Sequence, residues 1–191
     1  MAQNTIPSSG LWSTIAGFLN DNFAEIEAAT QVSGVYAYED TGTTAVPISL
    51  TTDTWTKLTN DGNGVGTITT YGISDVPNIF NTVTDVFDFS GLALGDSIDV
   101  RADLTITTTG PNQEVELEIS AAEGSGSDYV IPLVTPVLYK SAGEHKLLAF
   151  NGGFIGETNT RDFPASIQIK SDASASVVVN SWYIRVIRRG I

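Results

Sequence analysis

From Ser97 to Thr107 hydrophobic and polar residues alternate without a break. Ile98, Val100, Ala102, Leu104 and Ile106 fall on one side, with Asp99, Arg101, Asp103, Thr105 and Thr107 on the other. A period of two sends successive side chains to opposite faces, so this stretch predicts a β-strand with one buried and one wet face. Glu114-Val115-Glu116-Leu117-Glu118-Ile119 repeats the pattern. Tyr129 to Leu138, Glu144 to Phe150, Ala165 to Lys170 and Val177 to Ile187 are further strand candidates, and Asp85 to Phe89 is a shorter one. Upstream, Trp55 to Thr59 alternates, NDGNGVG supplies residues that tolerate positive φ, and Thr67 to Tyr71 resumes the strand pattern, which predicts a hairpin. About nine or ten strands at regular spacing, with no helix between them, predict an all-β fold: an antiparallel jelly-roll sandwich.

Residues 8–30 carry a different period. Trp12, Ile15, Leu19, Asn22, Ile26 and Ala29 are separated by 3, 4, 3, 4 and 3 positions, the a/d spacing of a coiled-coil seam. Ser8 or Ser9 supplies an N-cap. About 22 residues rising 1.5 Å each make a rod of roughly 33 Å. A helix of this length is marginal alone in water, so its stripe must lie against something. Two partners compete: the chain's own sheet, or copies of the chain and a larger assembly. Phe18 and Phe23 widen the apolar face beyond a two-residue seam, and a compact sheet domain has no evident need of a terminal helix, which favours the second. Trp12, Ile15, Leu19, Asn22, Phe23 and Ile26 are therefore the candidate oligomerisation and anchor residues. Asn22 places an amide within the seam, where pairing with its symmetry mates fixes register.

The predicted organisation follows. Residues 1–32 form a helical anchor, a short coiled coil; residues 33–53 form a linker or shoulder, in which Gly34 ends the helical period and Gly42 and Pro47 punctuate β-prone pieces. Residues 54–191 form the jelly-roll head.

Charge narrows the partners. Nine Lys and Arg face 22 Asp and Glu, a net charge of −13, and no basic residue occurs before Lys57. A chain this acidic is repelled by phosphate backbones and anionic lipid, so neither nucleic acid nor a membrane surface is expected as partner. The longest apolar runs are a few residues, far short of the roughly 18 needed to cross a bilayer. MAQNTIPSSG has neither a basic n-region nor an apolar h-region, so no secretory signal is expected. Without cysteine there is no disulfide framework, thiolate nucleophile or thiolate metal site.

Candidate chemistry is sparse. The one histidine, His145, cannot build a triad or a multi-histidine metal site, and reads as a surface or edge residue. Gly62-Asn63-Gly64-Val65-Gly66 precedes a strand pattern rather than a helix N-terminus, so it reads as a turn and not a phosphate cradle. Glu114, Glu116 and Glu118 share one strand face, as do Asp99 and Asp103. Alternate strand residues stand about 6.6 Å apart, a spacing common to solvated faces and to inverting glycosidase pairs; the rows read as solvated. Tyr36 and Tyr38 share a face in the linker and could bind sugar if exposed, while Trp182 and Tyr183 point to opposite faces, so one belongs to the core; in a jelly roll such aromatics read as core or subunit interface. No catalytic residue, metal site or cofactor is predicted, and the chain reads as a non-enzyme.

FDFSGLALGDSIDVRADLTITTTGPNQEVELEI, FNGGFIGETNTRDFPASIQIKSD and the closing VVVNSWYIRVIR resemble the trimeric, tumour-necrosis-factor-like jelly-roll modules of phage virion proteins. GLWSTIAGFLNDNFAEIE resembles the helical leaders of phage fibre and appendage proteins. The resemblance implies a homotrimer with a helical attachment end and an exposed β-rich head. It implies a virion location after synthesis in the host cytoplasm, and partners that are copies of itself and other virion proteins of capsid, neck or tail. A short fibre or decoration protein is the expected function; a tail-fibre module binding host cell-surface glycan is the alternative.

Overall fold

The alternating segments become the long strands of a sandwich. The computed structural model describes residues 32–189, so Trp12, Ile15, Leu19, Asn22, Phe23 and Ile26 of the expected anchor lie outside the described residues. Within them the strands are β1 (Ser33–Glu39), β2 (Ile48–Leu50), β3 (Thr56–Lys57), β4 (Phe80–Asn81), β5 (Val86–Phe87), β6 (Ser97–Thr108), β7 (Gln113–Ala121), β8 (Tyr129–Tyr139), β9 (Gly143–Phe154), β10 (Ser166–Ser171) and β11 (Ala175–Ile187). Single helical turns stand at Gly42–Ala45 and Thr158–Asp162.

One sheet runs β1-β11-β6-β9, with β2 beside the start of β11; the second runs β3-β10-β7-β8; β4 and β5 form a separate ribbon. Every strand pairing is antiparallel. Counted along the chain without β2, β4 and β5, the eight sandwich strands lie in the orders 1-8-3-6 and 2-7-4-5. That order is two interlocked Greek keys, a jelly roll. Ile98, Val100, Ala102, Leu104 and Ile106 of β6 point into the core, as their alternation predicts.

The aromatic residues gather at one end of that core. Trp182 is fully buried and meets the edge of Phe80, their ring centres 6.5 Å apart. Phe80 in turn lies 5.4 Å from Tyr38 and 5.0 Å from Phe87. Tyr183, on the opposite face of β11, is only partly buried. Alternation therefore assigns the core residue of this pair to Trp182.

Two expectations are corrected. Residues 33–53 are not a linker: β1 pairs along its whole length with β11, from Ser33 with Ile187 to Glu39 with Ser181. Small Val35 and Ala37 alternate with Tyr36 and Tyr38, and it is the two tyrosines that turn inward, both almost wholly buried. They are core residues, the reading favoured for such aromatics over surface platforms for sugar. The Tyr36 hydroxyl accepts the Ile73 N–H at 2.9 Å and donates to the Val76 carbonyl at 2.7 Å. The Tyr38 hydroxyl accepts the Ile79 N–H at 3.3 Å. Burial raises the pKa of both phenols, although these backbone donors work against it. Through the two hydroxyls the 72–80 segment is bound to the sheet. Gly34 permits the same approach, since a Cβ there would stand 2.5 Å from the Ile73 nitrogen.

The expected hairpin around NDGNGVG does not form either. Thr56 and Lys57 pair with β10 in the second sheet, whereas Ile68 bridges Ala37 of β1 in the first. The intervening loop crosses between sheets. It is held by Asp61, whose carboxylate accepts the Thr41 N–H and hydroxyl, both at 2.9 Å, and the Asn63 N–H at 3.0 Å. Burial alone would raise this carboxyl, but those hydrogen bonds outweigh it and lower its pKa from 3.8 to about 2.

Two outcomes are expected. Tyr36→Phe leaves the Val76 carbonyl and the Ile73 N–H buried without a partner, and destabilises the fold by about 1–3 kcal/mol in urea unfolding. A carboxylate with a folded-state pKa of about 2 stabilises the fold fully above 3.8 and loses that contribution as pH falls toward 2. Asp61→Asn should therefore flatten the stability profile in that window, measured by denaturation at stepped pH.

Candidate functional site: an unguarded sheet edge

A sheet that ends exposes a row of backbone donors and acceptors, and folded chains blunt such edges to prevent unwanted pairing. Two sheets present four edges, three of which are blunted here. β1 is covered by the 68–71 segment: the Val35 N–H bonds the Tyr71 carbonyl at 2.9 Å, and Ala37 and Ile68 exchange bonds of 2.8 and 2.9 Å. β3 is only two residues long. β8 carries Pro132 and Pro136, and its pairing with β7 is interrupted by register shifts around Leu117. Proline cannot donate and bulges bend the edge away.

β9 is the exception. It pairs with β6 over all twelve residues, Gly143 to Phe154, without a register shift and without a proline. Among the described residues no strand pairs with its outer side. Its side chains compound the exposure. Leu147 and Ala149 turn inward, but Leu148, Phe150 and Phe154 stand on the open face, 65%, 60% and 69% exposed. Val130 and Leu138 of β8 are also exposed, but on the outer face of the second sheet, opposite Ser120 and Glu114 of β7. Single exposed apolar residues are ordinary, whereas three large ones on one face of one strand form an apolar patch.

Charge around β9 is balanced. On the same sheet face Arg185 Nε donates to Asp99 at 2.8 Å, Arg101 to Asp103 at 3.0 Å, and Lys146 approaches Glu144 at 3.6 Å. Arg101 also lies 5.3 Å from the centre of the Tyr183 ring. Three cations thus offset three anions beside Leu148 and Phe150, on a chain whose net charge is −13. The outer face of the second sheet differs: it carries Glu114, Glu116 and Glu118 of β7, and Lys170 of β10 pairs with Glu116 at 2.9 Å and sits 4.9 Å from the Trp55 ring centre. Burial raises the pKa of Glu118, with Lys170 opposing. In these rows Asp99, Asp103 and Glu116 form ion pairs, whereas Glu114 is exposed and neither it nor Glu118 makes an ion pair among the described residues.

His145 closes one end of the flank. It lies on β9, stacks on Tyr139 of β8 with ring centres 4.2 Å apart, and bonds the Ser141 carbonyl at 3.0 Å and the Thr108 hydroxyl at 3.2 Å through Nε2. It is an edge residue, as its isolation in the sequence predicts, and its contacts are structural. The β9 surface was not among the predicted site residues. The signal for it lies in Lys146-Leu147-Leu148-Ala149-Phe150, where large apolar residues occupy both phases of the alternation.

No family model matches the chain, and no curated protein matches it. Solved structures similar to it include the Eiger TNF of S. frugiperda, at 8% identity over 84% of this chain and 94% of that one, with a TM-score of 0.44. A chain of infectious bursal disease virus, Gx strain, shares 12% identity over 82% of this chain and 32% of its own length, with a TM-score of 0.39. The CBM22-1 xylan-binding domain of Paenibacillus barcinonensis Xyn10C shares 9% over 55% of this chain and 64% of that one, with a TM-score of 0.37. This chain thus spans about a third of the viral chain and just under two thirds of the xylan-binding domain. At such identities the likeness concerns fold alone, and the jelly roll rests on the strand order described above.

Proposed function

We propose that this chain is a bacteriophage virion structural protein: a short homotrimeric fibre or decoration protein with its jelly roll exposed and residues 1–32 anchoring it to other virion proteins. The observation that carries the proposal is the one sheet edge left unguarded among the described residues. β9 offers a regular twelve-residue strand and three exposed large apolar side chains, and burying them against copies of the same chain removes both from water. Local neutrality supports a second copy as the partner. Two molecules of net charge −13 repel over most of their surfaces, and the face flanked by paired Arg185, Arg101 and Lys146 is where they can approach at least cost. Three copies gathered at their heads would also bring together three copies of the apolar stripe in residues 8–30, which its a/d spacing calls for. In this role the protein is not an enzyme, and its acidic strand faces serve surface structure.

Two measurements test the proposal. Light scattering coupled to size exclusion should give a mass near three times 20.2 kDa; a stable single chain contradicts it. Leu148→Lys combined with Phe150→Lys should reduce that mass to one chain, and raising salt should strengthen association of the unaltered protein by screening its net charge. The same face should carry little of the single chain's own stability. In dilute urea unfolding Phe150→Ser is expected to change it by under about 0.5 kcal/mol, against about 3–5 kcal/mol for Trp182→Ala.

A further inference from the structure

At the opposite edge of the β9-bearing sheet, beside β1, lies an open polar groove of about 500 Å³. Its walls are Thr67 and Thr69 of the segment laid along β1, and Asn78, Asn81, Thr82 and Asp88 around the β4–β5 ribbon. Tyr38 and Phe80 form its floor. Both rings are almost wholly buried, so they offer a flat apolar base rather than free stacking platforms. This volume falls within the range of small-ligand sites.

The hydrogen-bonding capacity of the walls is largely unspent. Asn78, Thr69 and Thr82 make no side-chain hydrogen bond among the described residues. Asn81 uses Oδ1 to accept the Val83 and Thr84 N–H groups at 2.9 and 3.1 Å, which leaves its amide N–H₂ to donate. Asp88 uses Oδ1 to accept the Ser90 N–H at 2.9 Å, which leaves Oδ2 to accept. The Thr67 hydroxyl oxygen accepts the Glu39 N–H at 2.9 Å and keeps its proton for a ligand. The groove therefore offers two amide groups, three hydroxyls and one carboxylate oxygen, interspersed as donors and acceptors. That set matches vicinal hydroxyl groups, each of which donates and accepts.

We propose that this groove binds a neutral saccharide. Among the described residues no lysine or arginine lines it, so they offer no counter-charge for a phosphate, sulfate or uronate. Asp88 within it, and Asp61 and Asp85 in the adjoining depression, repel such anions. The reading gives a site and a ligand class to a glycan-binding head. It stands independently of self-association, which involves the other edge of the sheet.

Ligand-observed saturation-transfer NMR on the full chain tests it, with a panel of neutral gluco-, galacto- and manno-configured oligosaccharides beside uronic-acid and sialylated counterparts. Asn78 is exposed and Thr69 partly exposed, so Asn78→Ala and Thr69→Val leave the fold intact, a point checked by circular dichroism. At least one neutral oligosaccharide is expected to give transfer signals at millimolar concentration, with affinity reduced about tenfold in each variant. Signals from charged sugars only, from no sugar, or undiminished in both variants would overturn the site. Light scattering on the same samples reports self-association separately, so the failure of one reading is distinguishable from that of the other.

Discussion

An unpaired strand edge is the constraint around which the rest of this molecule is arranged. A sandwich gains its core by stacking two sheets, and in doing so creates four rows of backbone groups that water or another strand must satisfy. The chain meets three of these by different means: a covering segment along β1, brevity at β3, and prolines with register shifts at β8. Among the described residues β9 receives none of them. Instead it carries Leu148, Phe150 and Phe154 outward, side chains whose burial is favourable only once something else arrives.

The electrostatics point the same way. A surface this acidic keeps molecules apart in general, which makes the neutral face specific as well as permissive. The ion pairs of Asp99 with Arg185 and Asp103 with Arg101 are partly exposed and contribute little stability individually. Their effect is to cancel charge where charge would block approach. On the other sheet Glu114, Glu116 and Glu118 leave an acidic surface facing outward. One face of the sandwich is thus suited to contact and the other to water.

Much of the sandwich was legible because its long strands are half-buried. β6, β7, β8, β10 and β11 were each announced by alternation, with ends within a few residues of those observed. Failures came where the deciding contact is distant in sequence. Val35 to Tyr38 read as part of a linker because tyrosine suits surface and core alike, and the strand that pairs with this segment, β11, lies at the far end of the chain. Thr56 and Ile68 read as partners because the loop between them is turn-like, yet competing strands β10 and β1 claim them. The polar groove was invisible for a similar reason, since Thr67, Asn78 and Asp88 converge only after those pairings form. The β9 surface was partly visible: apolar residues in both phases signal a strand covered on two sides, and in this sandwich one side has no cover within the described residues.

The central claim is that β9 is covered by another copy of the chain, and hydrogen exchange of its backbone reads this directly. In the full chain, amide protection across residues 143–154 should rise as protein concentration increases from dilute to concentrated solution, while protection of β1 and β8 stays constant. Protection of β9 that does not change with concentration, in a protein whose mass remains that of one chain, would contradict the account.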